Sequence, residues 1–461
     1  MVDVAPLSPL RYDLRRFPAG LGGLVAPPYD VVGPEERARL AASPYNIVHL
    51  DLPEASSADA SKYEAAARLL RQWQAEDALV RDQEPAFYTY EQTFRPPGGA
   101  TSITRRGFLA AVRLSPFHER KVLPHERTLA GPKLDRLELY RATRACLSPG
   151  FMLYGDPAQR LSGPLETAEH LAQFTTPDGI HHALGKVVAR DAIQAIQAHV
   201  ADGTLLIADG HHRYETAVAY RDEVDAAHPD APADAEHKYT LAFLVNGDDP
   251  HLAVFPTHRM VHSLPQGNGV QVRDGYPQVD FDALLTGAAA YFDVVPLTSG
   301  APADTVLREI GSRGRTRPTF ALAGPDGRVA ALTLRADARL DSHSLIGREP
   351  AVLRNKDVVL LHVLVFQELL GISAEAQAAK TNLLYPQDAA AALKMLRAAG
   401  EASGTRPQLL ALMNPTPVAH VRDVAEAGCV MPQKSTFFFP KVVTGLCIHT
   451  LDPRRTVPSV G

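Results

Sequence analysis

The run Thr204-Leu205-Leu206-Ile207-Ala208-Asp209-Gly210-His211-His212-Arg213-Tyr214-Glu215-Thr216-Ala217 concentrates side chains that do chemistry. A short apolar strand runs into Asp-Gly, and a helix follows with Tyr214, Ala217 and Val218 on one apolar face. Asp209 suits the N-cap and Gly210 a tight turn. Helix N–H groups, the helix dipole and the Arg213 guanidinium would then surround one point, which suits a phosphate group. An ordinary capped helix needs only one such residue. An Asp, two His and an Arg crowded together favour function over capping alone. Neighbouring residues on a helix point about 100° apart, so His211 and His212 are poor joint ligands for one metal ion. The doublet His181-His182 has no such setting. A Mg2+ carried by a phosphate substrate fits better than a protein-held metal, with Asp209 as its contact.

Three other segments carry weaker signals. Leu123-Pro124-His125-Glu126-Arg127-Thr128, followed by Gly131-Pro132-Lys133-Leu134-Asp135-Arg136, sets a carboxylate among cations in a Pro/Gly-bounded loop. Glu126 suits a general base, and the neighbouring cations suit a phosphoryl group. Met431-Pro432-Gln433-Lys434-Ser435-Thr436, then three Phe, Pro440 and Lys441, offers lysines and hydroxyls to an anion or nucleotide. It lacks the Gly-rich run of a P-loop. Pro256-Thr257-His258-Arg259 is the fourth segment, and Asn414-Pro415-Thr416-Pro417 reads as a helix cap. Each also reads as a plain surface loop.

Composition bounds the alternatives. The 461 residues are 45% apolar and 21% charged, which excludes a mainly disordered or fibrous chain. The length suggests roughly three domains, and two large ones would also fit. A net charge of −5 opposes general nucleic-acid binding. Cys146, Cys429 and Cys447 form no CxxC pair, which points to a reducing compartment. The N-terminus lacks a signal-peptide pattern. The apolar stretch from Val358 to Ile372 is broken by His362, Gln367 and Glu368 and falls short of the ~20 residues of a membrane span. A cytoplasmic protein with no membrane partner is expected.

The elements that must position these residues follow from periodicity. A helix is expected over 62–80, and a hairpin from strands 86–93 and 103–114. Residues 185–224 read as strand, helix, strand, helix. A second hairpin is expected from Tyr239–Val245 and Leu252–Phe255, and a linker over 263–278. Helices are expected at 357–370 and 387–399, then a strand at 408–413 and a helix at 416–427 ended by Gly428.

Taken together, Ala26-Pro27-Pro28-Tyr29-Asp30-Val31-Val32, Pro124-His125-Glu126, Gly131-Pro132-Lys133, the Asp209–Arg213 run, Pro256–Arg259 and Met431–Lys441 resemble a widespread prokaryotic family of unassigned role, the domain-of-unknown-function family numbered 1015. The Asp209–Arg213 run with Pro-His-Glu upstream is also similar to the free serine kinases of the ParB/sulfiredoxin-like superfamily. That resemblance implies an α/β (α+β) fold, with a ParB/sulfiredoxin-like core at 105–262. Large additions would flank it: an N-terminal α/β segment, 1–104, and a C-terminal α+β domain, 279–461. The implied activity is phosphorylation of free L-serine to O-phospho-L-serine, with ATP, ADP or pyrophosphate as donor and Mg2+ accompanying it.

On this reading Glu126, Asp209 and His212 are catalytic. Gly210, His211, Arg213, Lys133, Arg136, Lys434, Ser435, Thr436 and Lys441 serve the phosphates, with Arg213 as a bidentate clamp. His125, Arg127, Thr128, Thr257, His258 and Arg259 serve the substrate. No metal is held by the protein alone. The stretch between Glu126 and Asp209 is longer than in the compact kinases, so an insertion near 150–185 is expected. The flanks are expected to supply donor specificity, a lid or a homodimer interface. A ParB-like nucleotide-dependent DNA-binding regulator would need a helix-turn-helix, which the sequence does not show. A phosphoserine phosphatase would need similar phosphate ligands, and a non-catalytic metabolite sensor would share the fold. Sulfiredoxin chemistry would need a cysteine where Gly210 and His211 stand.

Overall fold

The structure is a computed structural model that describes residues 1–55, 61–96, 101–126, 130–265, 270–273, 276–398 and 406–459. Arg127 and Thr128, both expected at the substrate, lie outside the described residues. The fold is mixed α+β, and the chain forms two units. The first comprises Met1–Pro124, Thr128–Ala253 and Pro440–Gly461; the second comprises His125–Arg127 and Val254–Phe439.

The first unit is built on a nine-stranded mixed sheet. Tyr239–Asn246 is apolar along nearly its whole length and almost entirely buried, as a strand covered on both faces must be. It pairs antiparallel with Ile103–Arg113 and parallel with Gly150–Tyr154. Gly107 faces the Leu244 carbonyl so closely that any Cβ would strike it, so this crossing requires glycine. Tyr88–Phe94 alternates, turning Tyr88, Tyr90, Gln92 and Phe94 inward. His181–Lys186 and Glu169–Thr175 extend that edge. On the other side Leu205–Asp209 pairs antiparallel with Gly150–Tyr154 and parallel with Val122–Leu123. The helix Arg190–Ala201 buries Ala192, Ile193, Ile196 and Val200. The helices Ala130–Thr143 and His211–Ala227 pack together, with Tyr140 edge-on to Tyr220.

The second unit holds a six-stranded antiparallel sheet. Its order is Phe292–Leu297, Val329–Leu334, Thr319–Ala323, Leu409–Leu412, Arg259–Val261, Leu383–Leu384. Val306 and Ile310 of one helix, and Leu393 and Leu396 of another, share a core with Ala321, Leu410 and Met260 of the sheet. The helical run Asp357–Leu369 has a π-helical second part, Leu361–Leu369, and is buried almost all round. Its apolarity is that of a core helix. Among the described residues no helix is long and apolar enough to cross a membrane.

Several expectations change. Val254–Phe255 does not form a hairpin with Tyr239–Asn246, because both edges of that strand are already taken; it pairs with Phe437–Phe438. The expected linker holds an antiparallel pair, Val270–Arg273 with Tyr276–Val279. The boundary expected at 104 falls inside the hairpin of Tyr88–Phe94 and Ile103–Arg113. The expected insertion near 150 begins with a central strand of the sheet. Residues 440–461 belong to the first unit, where His449–Thr450 pairs with Ala145–Cys146. All three cysteines are free thiols.

Candidate functional site

In the first unit the Asp209–Arg213 run turns from strand to helix as expected, but Asp209 is not the cap. It ends the strand, and Gly210 takes the N-cap position at φ 90° and ψ 30°. This left-handed conformation suits glycine. An ideal Cβ here would lie 2.8 Å from Arg213 Nε, so the missing side chain also makes room for the guanidinium. The Asp209 carboxylate, 22% exposed, faces two cations: Oδ2 lies 3.2 Å from Arg213 Nη2 and Oδ1 lies 3.1 Å from Lys441 Nζ. Arg213 is buried, and its Nη1 donates to Ser148 Oγ at 3.0 Å and to the Pro149 carbonyl. Burial works against its charge, but Asp209, Asp30, Tyr29 and Asp51 together hold its pKa above the ordinary arginine value. The first intrahelical bond runs from Tyr214 N–H to the Gly210 carbonyl, so the N–H groups of His211, His212 and Arg213 lie ahead of it.

Lys441 is held by its own backbone. Gln92 Nε2 donates to the Lys441 carbonyl at 2.9 Å, and Arg105 Nη2 donates to the Pro440 carbonyl at 2.6 Å. Arg105 is buried over the Phe151 ring, and burial lowers its pKa to about 9. Lys133 and Arg136 are already engaged. Lys133 pairs with Glu215. Arg136 is buried, donates to Asp51 and Asp135, and lies over the Tyr29 ring at 4.3 Å. Burial there costs so much solvation that the guanidinium is held by its two carboxylates, and Arg136 braces the fold.

In the second unit the other three segments meet. Glu126 Oε1 accepts from Thr436 N–H at 3.0 Å and Thr436 Oγ1 at 3.1 Å, and Oε2 accepts from Lys434 N–H at 3.3 Å. With Thr436 donating to the carboxylate, its Oγ1 accepts from His125 Nε2 at 2.8 Å. Lys434 has φ 57°, which turns the backbone so that its N–H serves Glu126 and its carbonyl serves Arg259 Nη2 at 3.0 Å. Arg259 is buried, and its pKa is lowered to about 10 by burial, with Tyr385 and Glu126 opposing. Its other donors go to the Thr257 carbonyl and to His362 Nε2 at 3.3 Å. Ser435 Oγ donates to the Pro432 carbonyl, and the Ser435 carbonyl accepts from Thr416 Oγ1 at 2.8 Å. His258 Nδ1 accepts from Met413 N–H at 3.1 Å. His125, Thr257, His258, Arg259 and Ser435 are therefore buried struts around Glu126 and its loop.

Residues 4–358 match the family described as a protein of unknown function, DUF1015. The chain belongs to that family. Among solved structures, a free serine kinase in complex with AMP is similar at 12% identity and a TM-score of 0.33, over 71% of this chain and 89% of that one. A conserved hypothetical protein from Pyrococcus furiosus is 14% identical at a TM-score of 0.31, over 71% and 92%. SbnI with C-terminal truncation, from Staphylococcus aureus, is 10% identical at 0.33, over 74% and 87%. No curated protein matches the chain.

In this DUF1015 protein the sequence pointed to Arg136, Arg213 and Lys441 but gave no role to the residues that hold them. Tyr29, Asp51, Gln92, Arg105 and Ser148 are such residues. Only Tyr29 carried a signal, within the Pro-Pro-Tyr-Asp turn. The expected clamp role of Arg213 also changes, because both of its Nη atoms are engaged within the fold. Among the described residues no group of three His, Cys, Asp or Glu is placed to hold a metal ion.

The buried histidines give a pH dependence. Burial, with Arg259 nearby, lowers His258 to about 4 and His362 to about 3. The unfolded value is about 6.5. A folded pKa below the unfolded one gives stability that is present above pH 6.5 and lost as pH falls. Between pH 6 and 5 the two histidines should cost about 1 kcal/mol each. Asp357, whose pKa burial raises to about 7, returns about 1 kcal/mol by holding a proton in the folded state. Stability of the second unit, read from denaturation midpoints, should therefore fall by a net of about 1 kcal/mol. His258→Gln should flatten the slope, and a slope equal to that of the wild type would show that this ring does not resist protonation.

Proposed function

We propose that this protein transfers a phosphoryl group to the hydroxyl of free L-serine, with ATP, ADP or pyrophosphate as donor. The observation that carries this reading is the meeting of three sequence motifs at one carboxylate. Glu126 is fixed by Lys434 and Thr436, and Lys434 is fixed in turn by Arg259. A base held by backbone donors needs no rearrangement when its substrate arrives. The resemblance of the Pro-His-Glu and Asp-Gly-His-His-Arg pair to the free serine kinases supports the choice of acceptor.

Phosphoryl transfer asks mainly for positioning and charge neutralisation. Glu126 takes the proton of the serine hydroxyl while that oxygen forms the new O–P bond. The bond between the transferred phosphorus and the donor's bridging oxygen breaks. The donor leaves as ADP from ATP, AMP from ADP, or phosphate from pyrophosphate. The resemblance to the free serine kinases implies that Lys441 and the N–H groups opening the helix at His211 serve the phosphates, with a hydrogen bond from His212. Arg213 acts through Asp209 and the turn. Asp209 is a poor Mg2+ holder, because each carboxylate oxygen already faces a cation. On this reading any Mg2+ enters with the donor.

The test incubates purified protein with L-serine, Mg2+ and each donor in turn. O-phospho-L-serine should form with at least one donor. No product with any of them would sink the kinase reading. Phosphate release from O-phospho-L-serine without a donor would make the protein a phosphatase. A band shift with duplex DNA that persists at moderate salt would favour a DNA-binding regulator.

A further inference from the structure

The second unit contains a cavity of about 280 Å³, walled in part by Lys356, Asp357, Arg315, Asn414, Thr416 and His420. Lys356 decides its chemistry. The residue is only 8% exposed, yet its ammonium has no hydrogen bond or ion pair among the described residues. The Nζ atom is not sealed from solvent, and Lys356 lines the cavity. Other cations of this unit are answered: Arg313 by Glu309, Arg317 by Asp293, Arg354 by Asp341. A charge taken out of water without a partner is costly, so a site that keeps one suits a ligand that supplies the partner.

The acidic neighbours do not fill that role. Burial pushes the Asp357 pKa up to about 7, with the Thr319 backbone, Asn414 and Lys356 opposing. Asp423 acts on Lys356 from beyond ion-pair distance, and burial still lowers the lysine's pKa. The nine-residue helix Val418–Glu426 begins at the same wall, through Pro417 and His420. Its first intrahelical bond runs from Val421 N–H to the Pro417 carbonyl, so the N–H groups of residues 418–420 precede it. Arg315 adds an exposed guanidinium at the rim.

We propose that this cavity binds a small oxyanion, a phosphate or carboxylate group of a metabolite, with Lys356 as its buried charge partner. The volume lies at the small end of ligand sites, which suits a small oxyanion. Arg259 lines the same cavity while holding the Lys434 carbonyl, so an occupant abuts the residues that fix Glu126. The site does not depend on serine phosphorylation.

The experiment follows the melting temperature and binding heat of the full chain with inorganic phosphate, with succinate, and with chloride at equal ionic strength. Phosphate or succinate should stabilise the protein saturably, and chloride should not. A response to phosphate alone assigns a phosphate group, and one to succinate alone a carboxylate. Lys356→Met fills a similar volume and removes the unanswered charge. It should weaken binding about tenfold or more and leave the free protein as stable as wild type or more so. Arg315→Ala changes an exposed residue, so it folds even where Lys356→Met does not, and it should weaken binding by a smaller factor. No saturable response to either anion would overturn the proposal. So would an equal response of wild type and both variants, since the anion would then be held elsewhere.

Discussion

Glu126→Gln should lower O-phosphoserine formation by about two orders of magnitude or more, the usual contribution of a general base. The amide cannot take the serine proton, yet it has nearly the shape of the carboxylate it replaces. Its one carbonyl oxygen can stay on the Thr436 N–H and hydroxyl, which Oε1 now serves. Its NH2 must then face the Lys434 N–H that Oε2 now accepts, donor against donor. That contact costs about 1–3 kcal/mol of stability. The two effects separate in measurement. A denaturation curve reads the cost of the mismatched amide, and the rate at saturating serine reads the loss of the base. A merely structural Glu126 would lose activity only in proportion to unfolded protein. A near-wild-type rate in the folded Gln variant would remove Glu126 from the mechanism.

The local part of this site was legible, and the long-range part was not. The strand and helix around Asp209 follow from an apolar run, a glycine and a helical apolar face, all within one short segment. Asp209 was read as the cap because its residue type suits one, but Gly210 occupies that position in a left-handed conformation. The junction of Glu126 with Lys434 and Thr436 spans about 310 residues. Nothing in either segment encodes the other. Likewise Val254–Phe255 looked like the return of a hairpin, but its partner lies at Phe437–Phe438. Periodicity tells which face of an element is buried, but not which charge is already answered. Arg136 and Arg213 read as open phosphate ligands because Asp51, Ser148 and the Pro149 carbonyl carry no signal of their own. Arg136 is taken up by Asp51 and Asp135 and Arg213 by the turn, which leaves Lys441 beside Asp209.

Arg213→Lys should therefore behave as a structural lesion, lowering stability by about 2–4 kcal/mol, even though the charge is kept. The guanidinium spans two directions at once. Nη2 reaches Asp209 in the preceding strand, while Nη1 reaches Ser148 and the Pro149 carbonyl at the start of a neighbouring strand. A lysine ammonium is a single point, so it can keep Asp209 or the Ser148–Pro149 pair, and the abandoned acceptors stay buried without their donor. Gly210 belongs to the same device, since a methyl group there would collide with Arg213 Nε. Gly210→Ala should thus cause a similar loss by pushing the guanidinium off its partners. The two changes combined should cost less than their sum, because the second removes bonds the first has already broken. Denaturant midpoints of the single and double variants measure this directly. Strict additivity would show that Gly210 serves only its own backbone conformation. An unchanged midpoint for Arg213→Lys would release Arg213 from the fold and return it to the phosphate.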